Sequence, residues 1–152
     1  MRHALVLLAL LAPLPAGALG LQDLDGRWQG EGALVLADEP AQRLRCQLRL
    51  SAAGDRGMFF SGRCATSQGA QSFHYRLSEP QPGQVLAENL SDPPDALPPR
   101  MQGRSDAQGV QFQAEGGASF ELARDGDGLR LIIAGHDRRG PARGEARLTL
   151  RE

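Results

Sequence analysis

The chain has 152 residues, of which 17 are basic and 18 are acidic, with a formal net charge of −1 at pH 7. This near balance of charge excludes a global electrostatic attraction to nucleic acid or to a membrane surface. Once the N-terminal segment described next is set aside, about 132 residues remain, which is enough for one domain with an adequate core.

The first twenty residues have the organisation of an export signal. Met1-Arg2-His3 is a short positive start, residues 4–12 form an uncharged apolar run, and Ala16-Gly17-Ala18 has the small residues of a cleavage site. The apolar run is too short and too weakly flanked for a stable membrane span. The sequence therefore predicts that the chain is exported and that it is not transmembrane.

The signal peptide is predicted over residues 1–20, with cleavage near Ala18 or Gly20. A single mature domain is predicted over residues 21–152. The predicted location is the periplasm or the extracellular medium.

Alternation of apolar and polar side chains with a period of two dominates the mature chain, and no helical stripe is present. In residues 42–51 the leucines and Cys46 lie on one face, and the arginines lie on the other. Turn signals rich in Gly, Asp and Pro separate such segments. The predicted strands are residues 27–37, 42–51, 58–66, 71–78, 84–90, 100–106, 109–115, 118–124, 129–135 and 143–151.

Centring each hairpin on its turn gives the register of neighbouring strands. A turn centred on Asp55 places Cys46 directly opposite Cys64, close enough to bridge. A cysteine pair in an exported chain predicts a disulfide, worth roughly 3 kcal/mol by loop entropy. A metal site built on these two cysteines would need further ligands, and none lies nearby at a useful spacing.

The other registers also keep apolar residues on one face. A turn at Gln68-Gly69 places Phe73 opposite Cys64 and Tyr75 opposite Gly62. The later predicted pairs are Phe112 with Phe120, Leu122 with Leu131, and Ile133 with Leu148.

The predicted fold class is all-β, an antiparallel up-and-down meander of eight to ten strands closed into a small soluble barrel. Such a sheet must close or fold over in order to hide its apolar face and protect its edges. An outer-membrane barrel would need an apolar outside, whereas the outward positions here carry arginines.

The start of the first strand, Gly26-Arg27-Trp28, is a short motif that resembles one in a known family of barrels. Gly-x-Trp followed by a meander resembles the calycins, which include lipocalins, avidin-like proteins and bacterial metalloprotease inhibitors of similar shape. The resemblance implies that Gly26 and Trp28 plug one end of the barrel, with Arg143, Arg147 or Arg151 stacked on the indole. The chain also resembles small exported bacterial proteins of unassigned function that have an early Gly-x-Trp and a cysteine pair in the next two strands.

The inward face predicts either a packed lumen or a ligand cavity. Eight strands can be filled by side chains alone, whereas ten leave more room. The only tyrosine hydroxyl can bond a ligand or a backbone group. The candidate ligand-lining residues are Tyr75, Phe60, Phe73, Phe112 and Phe120.

The outer face of the second to fourth strands is predicted to carry a basic patch. The predicted registers place Arg63 opposite Gln47 and His74, and Arg76 opposite Ser61. Such a patch suits an anionic envelope partner, or it serves only as a charged, edge-guarding surface. The arginines of this predicted patch are Arg43, Arg45, Arg49, Arg63 and Arg76.

The segment Ser91–Arg100, here called the proline loop, contains four prolines that stiffen it toward an extended conformation. An exposed extended loop suits contact with a partner or a protease. The same stiffness equally suits a connector across one end of the barrel.

Catalytic and metal-binding patterns are weak. His74 is predicted to point outward and His136 to lie in a loop, and no nucleophile motif accompanies either. The run Asp125–Gly128 lacks the later residues of a calcium loop and is predicted to be a hairpin turn. Glu88 has no converging second carboxylate. We expect no catalytic residue, no metal and no cofactor.

The predicted function is that of a non-catalytic exported binding module, not an enzyme, with a small apolar or amphipathic ligand inside the barrel. The alternative is a protein-interaction module, either similar to a protease inhibitor or acting as an envelope adaptor through its arginine-rich face. No nucleic-acid partner is expected.

Overall fold

The computed structural model describes residues 20–152. The predicted signal peptide, with its cleavage position at Ala18, lies outside the described residues. Within residues 20–152, no helix is long and apolar enough to cross a membrane.

A short 3₁₀ helix, Leu21–Leu24, precedes ten antiparallel strands. All ten strands predicted from the alternation are present, with ends that differ by a few residues, so the all-β prediction is confirmed. The strands are β1 (Gly26–Leu36), β2 (Gln42–Ala52), β3 (Gly57–Thr66), β4 (Gly69–Gln81), β5 (Gln84–Asn89), β6 (Arg100–Ser105), β7 (Gly109–Gln113), β8 (Ser119–Asp125), β9 (Gly128–Asp137) and β10 (Gly140–Arg151).

The strands form a closed meander barrel in which every strand pairs with its neighbours in sequence, and β1 pairs with β10. The closure removes both sheet edges, which would otherwise present unpaired backbone groups. Apolar side chains from alternate positions fill the inside in one continuous core.

Several predicted registers are confirmed. Cys46 lies opposite Cys64, and the two form a disulfide with a Cα–Cα distance of 4.2 Å. The pairs Phe112 with Phe120 and Leu122 with Leu131 are also present.

The register predicted for β3 and β4 is wrong by two residues. The turn consists of residues 67–68, so Phe73 lies opposite Gly62, and Tyr75 lies opposite Phe60. Because the error is an even number of residues, each side chain keeps its predicted face.

The register predicted for β9 and β10 is also wrong, because both strands run further into the hairpin, to Asp137 and Gly140. Ile133 therefore lies opposite Gly144, and Leu148 lies opposite Leu129. The longer strands also place His136 inside β9, whereas the sequence predicted a loop.

One end of the barrel is closed by the 3₁₀ helix. Leu21 and Leu24 are buried there against Trp28, whose indole Nε1 donates a hydrogen bond of 2.9 Å to the Leu24 carbonyl. Gly26 has a φ of +137°, and a side chain at this position would also collide with Leu150. The Gly-x-Trp motif therefore combines a backbone conformation that favours glycine with a buried indole.

The prediction that an arginine of the last strand stacks on the Trp28 indole is wrong. Trp28 points into the barrel, whereas Arg143, Arg147 and Arg151 are exposed at the alternate, outward positions of β10. Arg147 instead forms an ion pair of 3.2 Å with Asp125.

Candidate functional site

The opposite end of the barrel contains a cavity of about 290 Å³. Its wall is largely apolar and comes from β1, β3, β4, β6, β8, β9, β10 and the proline loop. The barrel is therefore asymmetric, with one end filled by Trp28 and the 3₁₀ helix and the other end hollow. The apolar side chains at the cavity wall are Leu34, Phe60, Phe73, Tyr75, Leu97, Met101, Phe120, Leu131 and Ile133.

An aromatic cluster forms the inner wall of the cavity. The rings of Phe60 and Phe73 lie 5.0 Å apart between centroids, and those of Phe60 and Phe120 lie 5.2 Å apart. Tyr75 also belongs to the wall. Four of the five predicted lining residues thus line the cavity: Phe60, Phe73, Tyr75 and Phe120.

The prediction that Phe112 lines the cavity is wrong. Its ring stacks on Phe120 with centroids 4.6 Å apart and is almost fully buried. Phe112 therefore lies one layer deeper than the wall and supports Phe120 from behind.

The proline loop crosses the mouth of this cavity. Its residues Ala96, Leu97 and Pro98 form part of the wall, and Leu97 packs against the core. The Tyr75 hydroxyl donates a hydrogen bond of 2.8 Å to the Pro98 carbonyl. Of the two predicted roles for this loop, the structure shows the connector across a barrel end.

The carboxylate of Asp95 organises the proline loop from within. It accepts hydrogen bonds from the Asn89 amide at 2.8 Å, the Ser91 hydroxyl at 2.7 Å and the Leu97 backbone N–H at 3.0 Å. Desolvation raises the pKa of Asp95, but these hydrogen bonds outweigh it and lower the pKa from its usual value. The loop is thus built around an ionised carboxylate.

Burial raises the pKa of Tyr75 to about 12, with a smaller contribution from the negative charge of Asp95. The hydroxyl therefore stays protonated at physiological pH and remains a hydrogen-bond donor to the proline loop.

The rim of the cavity is polar. Gln71, Ser119, His136 and Asp137 contribute to the wall near the mouth. An apolar interior with a few polar groups at its opening is the usual composition of a small-molecule site. A ligand with an apolar body and a polar end fits this distribution.

A second cavity of about 270 Å³ adjoins the first and shares Leu34, Cys64 and Ile133 with it. Arg139 crosses this region, with hydrogen bonds of 3.1 Å to Gln68 and 3.3 Å to Glu39. These contacts join the turns β1–β2, β3–β4 and β9–β10 at the mouth.

The five arginines of the predicted patch are all exposed on the outer face, but the patch is not uniformly basic. Arg43 and Arg45 both form ion pairs with Glu31 of β1. The hydrogen bond from Arg43 contributes most to lowering the pKa of Glu31. The pairing of Glu31 with these two arginines depends on the register of β1 with β2, which the turn signals of the sequence did not define.

Two predicted neighbours within the patch are wrong, since they depended on the register of β3 and β4. Arg63 lies opposite Gln47, as predicted, but its partner on β4 is Ser72. Arg76 lies opposite Phe59 and, on its other side, opposite Glu88.

The weak catalytic candidates His74 and Glu88 lie on the exposed outer face of the neighbouring strands β4 and β5. His74 is exposed beside Phe59, with ring centroids 6.2 Å apart. Glu88 is exposed on β5, and Asp125 pairs with Gly128 across a two-residue turn. Within residues 20–152, no group of three or more His, Cys, Asp or Glu side chains is arranged to hold a metal ion.

Sequence reasoning missed several residues of the cavity. Met101 follows the proline loop at the start of β6, and His136 extends β9 to the rim. The four prolines predicted a stiff loop that could serve as a partner contact or as a connector, but no local pattern indicated which of its side chains point inward.

Comparison with solved structures finds a similarity that extends over most of the chain. The chain is similar to the crystal structure of Rv2717c from M. tuberculosis, with a TM-score of 0.57 and 14% sequence identity. The match covers 91% of this chain and 99% of that chain. At this identity the similarity shows the barrel fold alone. No protein-family model matches the chain, and no curated protein matches its sequence.

Proposed function

We propose that this barrel is a non-catalytic binding module that holds a small amphipathic ligand in the cavity at its open end. The observation that carries the proposal is the cavity of about 290 Å³, which is apolar inside and polar at its rim. This space opens at one end of the barrel and lacks the close packing that is usual within protein interiors. A retained cavity with polar groups at its mouth is the common form of a ligand site.

The cavity volume limits the ligand. An apolar cavity of about 150 Å³ accommodates one benzene ring. The present cavity is about twice that size, which suits one or two rings or a short acyl chain. The apolar part would lie against Phe60 and Phe120, and the polar end would face Gln71, Ser119 or His136 at the rim.

The proline loop would act as the cover of the site. Leu97 turns toward the cavity, and the loop is held by Tyr75 and by the hydrogen bonds to Asp95. These attachments favour a cover over a free inhibitory arm, so the binding module is preferred to the protease-inhibitor alternative.

Calycin-like ancestry and export remain part of the proposal. The Gly26–Trp28 motif at the closed end and the cavity at the other support the likeness to lipocalins. The disulfide between Cys46 and Cys64 supports an oxidising compartment such as the periplasm or the extracellular medium.

The test uses 1-naphthylamine, a neutral two-ring fluorescent probe that the surface arginines do not attract and whose emission shifts in apolar surroundings. We expect a saturable shift of its emission on binding to the protein. Ala142→Phe places a ring in the cavity wall and should abolish binding. Ala33→Phe makes the same change at an exposed position of β1 and should leave binding unchanged.

The proposal is contradicted if the protein fails to bind the probe or if both variants bind it equally. Native mass spectrometry of protein purified from its own cells gives a second readout. Extra mass that disappears on denaturation would support a carried ligand, and Ala142→Phe should lack it.

A further inference from the structure

The outer face near the closed end of the barrel carries three arginines on three adjacent strands. Arg27 of β1 lies directly opposite Arg151 of β10 on one side and directly opposite Arg49 of β2 on the other. We refer to these three residues as the basic row. All three side chains are exposed, and the row lies outside the cavity and its rim.

Like charges at directly opposed positions of a sheet destabilise it. The structure offers no local compensation for the basic row, because within residues 20–152 none of its three guanidinium groups forms an ion pair. Asp25 and Glu152 are the acidic residues closest to the row in sequence, and neither pairs with it.

The next arginines along the same outer face differ from the basic row, because they form ion pairs with acidic residues. One layer of Gln29, Gln47 and Thr149 separates the basic row from Glu31. Glu31 forms ion pairs with Arg43 and Arg45, and Asp125 forms one with Arg147. The unpaired positive charge on this face is thus concentrated toward the closed end of the barrel.

We propose that the basic row docks the barrel on an anionic phospholipid surface. Side chains directly opposite each other on neighbouring strands lie about 5 Å apart at Cβ, so two guanidinium groups can share the oxygens of one phosphate. Arginine suits this role because its planar fork binds phosphate in a bidentate manner.

Two exposed apolar side chains favour a lipid surface over an acidic protein. Phe59, which is 39% exposed, lies on the outer face of β3, diagonally across from Arg49. Leu150, which is 53% exposed, lies on the opposite face of β10 from Arg151, at the closed end of the barrel beside Gly26. Basic residues combined with exposed apolar ones are typical of protein surfaces that sit at the headgroup boundary. An acidic protein partner would gain little from Phe59 beside the row or from Leu150 at the closed end.

Docking through this face would leave the ligand cavity accessible. The basic row lies near the 3₁₀ helix, and the proline loop and the cavity mouth lie at the opposite end. Surface attachment and ligand entry would therefore use separate parts of the molecule.

The test is flotation of the purified protein, beginning at its natural N-terminus, with vesicles. We expect binding to phosphatidylcholine vesicles that contain phosphatidylglycerol, weakened by added salt, and none to phosphatidylcholine alone. The triple variant R27Q/R49Q/R151Q should bind roughly 100-fold more weakly, given the typical contribution of each arginine near an anionic surface.

The matched control is R43Q/R45Q/R130Q, which removes the same net charge from arginines that already have acidic partners. This control should bind the vesicles nearly as well as the unmodified protein. The single variant R27Q removes the middle of the row and tests the proposal if the triple variant fails to fold. F59S/L150S should weaken binding without changing its dependence on salt.

Two results would overturn the proposal, the absence of vesicle binding or an equal loss of binding in both triple variants. Binding to soluble polyglutamate in the absence of vesicle binding would assign the basic row to an acidic protein partner. Inorganic phosphate that binds the row while vesicles do not would likewise exclude the lipid surface.

Discussion

The hydroxyl of Tyr75 and the carbonyl of Pro98, 2.8 Å from donor to acceptor, join the wall of the barrel to the loop across its mouth. Tyr75 is only 3% exposed, and its ring belongs to the cavity wall. The raised pKa of about 12 keeps the hydroxyl protonated, so the contact persists throughout the physiological pH range. This bond therefore connects the wall of the cavity to the loop that crosses its mouth.

Replacing Tyr75 by Phe should loosen the proline loop, because the Pro98 carbonyl loses its donor while the ring keeps its packing. We expect a loss of about 1 kcal/mol in the free energy of unfolding. Amide hydrogen exchange should become faster at Leu97. Thr149→Val, which removes an exposed hydrogen bond to Gln29, is the control and should not affect the loop. Unchanged exchange in Tyr75→Phe would contradict the role of this bond.

The proline loop should open in acid through Asp95. Because the folded pKa of Asp95 lies below its ordinary value of 3.8, the ionised carboxylate stabilises the loop above that pH. The stabilisation is lost as the pH falls from about 3.8 through the lowered folded value. Amide exchange at Leu97, corrected for the intrinsic effect of pH, should rise in this window.

Asp95→Asn should give fast exchange at Leu97 already at neutral pH, with little further rise in acid. Asp92→Asn changes an exposed residue of the same loop and should behave like the unmodified protein. The same acid response in all three proteins would assign it to groups other than Asp95.

Removing the disulfide should destabilise the barrel without changing its fold. The bond links β2 to β3 across a separation of 18 residues, which corresponds to roughly 3 kcal/mol of stability by loop entropy. The variant C46A/C64A should show this loss in guanidinium unfolding. A reducing agent should lower the stability of the unmodified protein and leave the variant unaffected. Equal stability of the two oxidised proteins would contradict the prediction.

Gly30 should be intolerant of a side chain. A Cβ there would overlap the Arg147 carbonyl at the β1–β10 seam. Gly30→Ala should lower the free energy of unfolding by roughly 1–3 kcal/mol, the usual cost of overpacking. Gly69→Ala adds the same methyl group where no atom lies within 4 Å, and should change stability by less than about 0.5 kcal/mol. Thermal unfolding of the two variants compares the positions directly.

The alternation of side chains predicted the strands because each strand has one buried and one exposed face, which constrains the sequence at every second position. The register of β2 with β3 followed from the turn at Asp55. The register of the third hairpin was wrong because its turn, at residues 67–68, begins one position earlier than the sequence suggested. The register of the ninth hairpin was wrong because its turn, at residues 138–139, is shorter than the sequence suggested.

The candidate site was less predictable than the fold. Local pattern shows that Phe60, Phe73 and Phe120 point inward, but the space between them depends on barrel width and on residues far apart in sequence. The inward turn of Leu97 depends on hydrogen bonds within the proline loop. The pairing of Glu31 with Arg43 and Arg45 required the register of the first hairpin.

The seam between β1 and β10 has a kinetic consequence. Every other ladder joins strands that follow each other in the chain, whereas this one pairs Arg27 with Arg151, more than a hundred positions away. Bringing such distant segments together carries the largest chain-entropy cost of any contact in the barrel. Such non-local pairing places the barrel among the slower-folding topologies. Until β10 docks, β1 presents an unpaired edge, so the nascent chain is most open to aggregation before its final strand arrives.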